Sequence, residues 1–155
     1  MICRIILSTI SEILFPLTHV INFCIKDGIF PEQLKVSKVC PIYKKGDKNY
    51  PASYRPVSIV PVISKVFEYV VYRQVYDFFV SNNYFDTNQF GFRRGQSTIH
   101  AVDTLVNEIH KVLEQKSYIK AVFCDLTKAF DLVDHNLLLE KLYYYGIEGN
   151  PLRMV

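Results

Sequence analysis

Residues 121 to 135, AVFCDLTKAFDLVDH, gather three aspartates, Asp125, Asp131 and Asp134, around one aromatic, Phe130. Asp125 directly follows the apolar run Ala121-Val122-Phe123-Cys124. A carboxylate leaving a buried strand is held rigidly and faces a cleft, where it can bind Mg²⁺, a cation that prefers hard oxygen ligands and substrate phosphates. An aspartate after a strand can equally form a turn or cap a helix, and on position alone that reading is favoured. Asp134 or Asn136 can cap the helix that follows, and His135 at its start reads as structural.

A second group of residues suggests a polyanion. Between residues 35 and 65 stand Lys35, Lys38, Lys44, Lys45, Lys48, Arg55 and Lys65 against one acid, Asp47. That segment is +6 in a chain of net charge +3, so the rest sums to −3. A solvated loop is the ordinary meaning of a basic cluster. Here basic residues alternate with apolar ones and prolines over a long stretch, which favours a surface for phosphates. KKGDK is not a phosphate-binding Walker loop, because it lacks the glycine and lysine spacing of that motif.

The elements that must position these groups are legible from periodicity. The chain has 155 residues and is 50% hydrophobic, enough for one domain with a real core. The spacing of Ile13, Leu14, Leu17, Val20, Ile21 and Cys24 predicts a helix from Ser11 to Asp27 that stops at Gly28. Val36 to Tyr43 reads as a strand, and Tyr54 to Ile59 as a returning strand or extended loop, since Pro56 is ill suited to a central strand. Val62, Ile63, Val66, Phe67, Val70, Val71, Val75, Phe78 and Phe79 make one helical stripe ended by Ser81-Asn82-Asn83. DTNQFGFRRGQST is a loop, after which Ser97 or Thr98 caps a helix through about Gln115. Tyr118 to Asp125 reads as a strand, and HNLLLEKLYYYG as a helix stopped by Gly146. Asn150-Pro151 looks like the start of another helix.

Four cysteines, Cys3, Cys24, Cys40 and Cys124, form no CxxC pair. Three sit in apolar runs, and they read as buried reduced thiols of an intracellular protein, nucleus and cytoplasm unresolved. Arg4, Glu12, Pro16, His19 and Asn22 interrupt the apolar N-terminal stretch, so no membrane span is expected.

Three blocks together carry a family resemblance. FCDLTKAFDLVDH resembles the first catalytic motif of reverse transcriptases, in the version found in non-LTR retrotransposons. LKVSKVCPIYKKGDKNYPASYRPVSIVPVISKVFE resembles their fingers segment, and NQFGFRRGQSTIHAV the block that follows it. The blocks come in the family's order, and the likeness runs from about residue 13 to 149. It implies an α+β chain covering the fingers and part of the palm of a right-hand polymerase, with the N-terminal helix and fingers over about 1–117 and the start of the palm over about 118–155.

The resemblance also implies roles. Asp125 would be the first metal-binding, catalytic aspartate, and the backbone carbonyl of Leu126 would lie near the second metal site. Phe130 would sit under the incoming sugar, where a flat ring clashes with a 2′-hydroxyl; without the motif it would read as a core aromatic. Lys44, Lys45 and Arg55 would approach the triphosphate or template backbone. Gln89, Gly91, Phe92 and Arg93 would line the template–primer path, with a well-packed loop under the palm as the alternative for Phe92. The implied reaction is RNA-templated addition of deoxynucleotides to a DNA primer with two Mg²⁺ ions. The family's Y-x-D-D motif does not occur in the sequence. The chain is therefore expected to be a fragment of such a polymerase, inactive alone. The alternative is a noncatalytic nucleic-acid-binding or interaction remnant of a retroelement.

Overall fold

A computed structural model of the chain describes residues 8–126 and 129–154. Helix α1 spans Ile10–Asp27 and the short α2 Glu32–Lys35. Strands β1, Lys38–Tyr43, and β2, Tyr54–Ile59, flank a turn with a 3₁₀ segment at Pro51–Ser53. Helices α3 (Val62–Ser81), α4 (Thr98–Glu114), α5 (His135–Tyr144) and α6 (Gly149–Arg153) follow. The chain is thus a mixture of helix and a two-stranded sheet. None of the helices among the described residues is long and apolar enough to cross a membrane.

Helix ends fall where local chemistry puts them. Gly28 closes α1 in the left-handed conformation, φ 67°, which glycine adopts at no steric cost. At the end of α3, Ser81 Oγ donates to the carbonyl of Asp77 and Asn82 Nδ2 to that of Phe78, adding side-chain bonds to the last turn. Ser97 rather than Thr98 caps α4, its side chain accepting from the His100 amide. Asp134 rather than Asn136 caps α5, accepting from the amides of Asn136 and Leu137 at 2.9 and 3.1 Å.

Two compact units divide the chain: Met1–Arg73 with Val133–Val155, and Gln74–Leu132. The core of the first is Ile21, Cys24, Phe67 and Met154, with Leu17, Ile25, Phe30, Val70 and Val71 packed around it. Phe30 meets Phe67 edge to face at 4.8 Å. Ser64, fully buried on α3, donates its hydroxyl to the Leu34 carbonyl at 2.7 Å. In the second unit Tyr76, Phe78, Phe79, Tyr84 and Phe85 form an aromatic cluster, with ring centroids 5.3 to 6.1 Å apart.

One expected element is corrected. Residues 118–126 form no strand, and their apolar side chains are uncovered: Tyr118, Val122 and Phe123 are all exposed. A strand exists only through a ladder to a partner, and the only sheet among the described residues is the β1–β2 pair. Half-burial also falls short of the inward faces expected of the helices. On α4 a stripe of Ala101, Leu105, Ile109 and Val112 is half-buried, while Val102, Val106 and Leu113 are exposed.

Candidate nucleic-acid and nucleotide site

The basic hairpin belongs to the first unit. β1 pairs antiparallel with β2, placing Pro41 opposite Pro56, Ile42 opposite Arg55 and Tyr43 opposite Tyr54. The Lys44 amide donates to the Ser53 carbonyl at 2.8 Å, which continues the ladder by one pair. Counting from that bonded pair, the alternation of antiparallel ladders puts the two prolines at a non-hydrogen-bonded position. Neither missing N–H is then a lost bond, which is how Pro56 fits a strand.

The same register sorts the side chains. Opposite residues share a face and neighbours alternate, so Lys38, Lys44 and Arg55 lie on one face, with the half-buried pair Cys40 and Val57 between them. Tyr43 and Tyr54 lie on the other face, their rings 5.7 Å apart. Their hydroxyls tie down the turn: Tyr43 donates to the Gly46 carbonyl at 2.7 Å and Tyr54 to the Lys48 carbonyl at 3.0 Å. Gly46 has φ 99°, and a Cβ there would meet Ser53 Oγ at 3.0 Å. Asp47 Oδ1 accepts from the Asn49 amide at 2.9 Å. The Lys48 ammonium stands 5.8 Å from the centre of the Tyr43 ring. Lys44 and Arg55 are therefore exposed on one face of a braced turn, with Lys45 exposed within the turn itself. The two tyrosine braces were missed in the sequence, where only their spacing around KKGDK could have pointed to them.

The other candidate residues belong to the second unit. Asp125 and Leu126 sit on the exposed segment without regular structure, and Phe130 on a turn at 129–132. Asp125 is thus not held at the end of a buried strand. Cys124 beside it is exposed, not buried as expected; Cys24 is buried, Cys40 half-buried, and Cys3 lies outside the described residues.

The loop from Asp86 to Gln96 is built on the end of α3. Tyr76, only 8% exposed, accepts the Arg94 amide on its hydroxyl at 2.9 Å, and the Arg94 guanidinium lies 4.5 Å from its ring centre. Arg94 also pairs with Asp77 at 3.6 Å. Arg93 donates through Nη1 to the Asp86 carbonyl at 2.7 Å and lies over the Phe85 ring. Gln89 reaches the Gly91 carbonyl at 3.4 Å. A Cβ on Gly91 would meet nothing within 4 Å, so its surroundings are open. Phe92 is 83% exposed, and its ring meets that of Phe130, itself 79% exposed. Neither ring is core. Tyr76 and Asp77 went unnoticed in the sequence because they lie off the apolar stripe of α3.

Mg²⁺ takes about six oxygen ligands in near-octahedral geometry. No group of three His, Cys, Asp or Glu side chains converges among the described residues. Asp125 offers one carboxylate, and the described residues by themselves do not make up a metal site.

A family model described as reverse transcriptase (RNA-dependent DNA polymerase) matches residues 42–153. The chain is 33% identical over 138 residues to a probable RNA-directed DNA polymerase from transposon BS of Drosophila melanogaster, covering 84% of this chain and 15% of that protein. It is 35% identical over 120 residues to a probable RNA-directed DNA polymerase from transposon X-element of the same species, covering 77% of this chain and 13% of that protein. It is 30% identical over 132 residues to the RNA-directed DNA polymerase from mobile element jockey of Drosophila funebris, covering 84% of this chain and 14% of that protein. No solved structure matches.

Proposed function

We propose a function from one premise: the chain belongs to the reverse transcriptase (RNA-dependent DNA polymerase) family, in the form carried by non-LTR retrotransposons. The proposal is that it serves, inside the cell, as fingers and early palm of a right-hand polymerase that copies an RNA template by adding deoxynucleotides to a DNA 3′ end during retrotransposition. What supports this reading is that the family match, over residues 42–153, takes in the hairpin from Ile42 onward, the Asp86–Gln96 loop and the Asp125–Phe130 segment.

In the proposed division of work, Lys44 and Arg55 hold phosphates on the exposed end of the braced hairpin, and Lys45 adds charge from the turn. Arginine suits bidentate phosphate contact, while lysine acts as a point charge. Gln89, Gly91, Phe92 and Arg93 border the template–primer path, where the open surroundings of Gly91 leave room for a backbone or base. Phe130 lies under the sugar and disfavours a 2′-hydroxyl, with Leu126 beside the nucleotide. Asp125 would supply one carboxylate ligand to a catalytic Mg²⁺, an ion that would polarise phosphoryl oxygens there. The other ligands belong to the Y-x-D-D carboxylates of a complete palm.

The experiment is Mg²⁺-dependent primer extension on an RNA template by a polymerase in which these residues are followed by a palm bearing Y-x-D-D. Asp125→Asn should abolish extension and leave template binding nearly intact, because loss of a metal-binding charge acts on the transition state rather than on general affinity. Near-normal extension by that variant would refute the role of Asp125. Binding without extension by the unaltered protein would leave a noncatalytic nucleic-acid-binding remnant as the correct reading.

A further inference from the structure

Phe92 combines features that folding alone does not explain. Its φ is 60°, in the left-handed region where a bulky residue is an outlier. Its side chain is 83% exposed, so burial offsets little of that strain. Yet the backbone around it is firmly held. Arg93 is bonded to the Asp86 carbonyl at 2.7 Å, and the Arg94 amide to the Tyr76 hydroxyl at 2.9 Å. The loop thus presents the ring outward from a fixed base. There it meets Phe130 with centroids 6.0 Å apart and planes at 90°, the edge-to-face arrangement that aromatic quadrupoles favour.

Among the described residues, Phe130 has no such support from its own segment. It lies on an exposed turn, and its side chain is 79% exposed. A ring in that setting samples several staggered rotamers, and a rotating ring cannot exclude a hydroxyl consistently. We propose that Phe92 is a positioning residue for sugar selection: its ring holds Phe130 in one orientation, so that the same face of Phe130 meets every incoming sugar. This rests on the reading of Phe130 given above. The strain at Phe92 has a use on this account, because it aims the ring at a residue far along the chain.

Two measurements test it. In a polymerase carrying these residues and a complete palm, the ratio of kcat/KM for a deoxynucleotide to that for the matching ribonucleotide is compared among the unaltered protein, Phe92→Gly, Phe92→Tyr and Phe130→Val. Glycine relieves the backbone at φ 60° and should keep the loop folded while removing the ring. Phe92→Gly should lower the ratio by roughly twofold to tenfold, the worth of one aromatic edge contact, and Phe92→Tyr should keep it. In the 155-residue chain, NMR of the Phe130 ring should show a ring-current shift that disappears in Phe92→Gly and persists in Phe92→Tyr. If Phe130→Val lowers the ratio and Phe92→Gly does not, the positioning role is wrong and the role of Phe130 stands. If Phe130→Val leaves the ratio unchanged, the reading of Phe130 fails and the inference with it. A Phe130 ring at the same shift with and without Phe92 would show that the rings do not meet, and would overturn the inference on its own.

Discussion

Replacing Lys44 and Arg55 together with glutamine should flatten the salt dependence of single-stranded RNA binding without unfolding the hairpin. The register puts both side chains on one face at the turn end of the sheet. The bonds that hold the turn come from Tyr43, Tyr54 and Asp47, so they survive the substitution. Each phosphate neutralised on a single strand contributes about −0.7 to the slope of log K against log salt. Two contacts amount to about −1.4, which is roughly a 2.6-fold loss of affinity per doubling of salt. The double variant should lose that component, and adding Lys45→Gln should remove about 0.7 more. Lys48 is the internal control. Its ammonium lies over Tyr43, on the opposite face, so Lys48→Gln should change the slope much less. Fluorescence anisotropy of a labelled oligonucleotide, read across a salt series, gives the slopes directly. An unchanged slope in the triple variant would show the cluster to be an ordinary solvated face. An effect of Lys48→Gln equal to that of Lys44→Gln would refute the assignment of faces.

Two further outcomes follow from packing. Gly28→Ala should destabilise the first unit by about 2 kcal/mol or more, from the left-handed backbone and from overpacking, because a Cβ there would stand 2.9 Å from the Asn150 backbone. Gly95→Ala, with φ 75° but nothing within 4 Å of its Cβ, should cost only the strain, and urea denaturation midpoints of the two variants separate the terms. The 155-residue chain should self-associate, since Tyr118, Val122, Phe123 and Leu126 stand exposed along one segment and such patches drive association. Gel filtration checks this, and a monomer that stays compact at high concentration would contradict it.

Much of this protein was decided by short-range sequence. Ser81 with Asn82, Ser97 and Asp134 end or begin helices at the expected places because each bonds through its side chain to a backbone group a few residues away, and Gly28 ends α1 because its own backbone takes the left-handed conformation. The family was also legible, since three blocks of residue types in a fixed order are a property of the sequence alone. What needed tertiary structure was everything whose partner is distant. Pro56 became acceptable in a strand only once the register set it opposite Pro41 at a non-bonded position. The apolar run before Asp125 has the composition of a strand but no partner ladder among the described residues, and hydrophobic pattern cannot create one. The meeting of Phe92 with Phe130 rests on a strained φ and on a loop anchored to Tyr76. Periodicity carries no information about such a contact, because it is made between two irregular segments that only folding brings together.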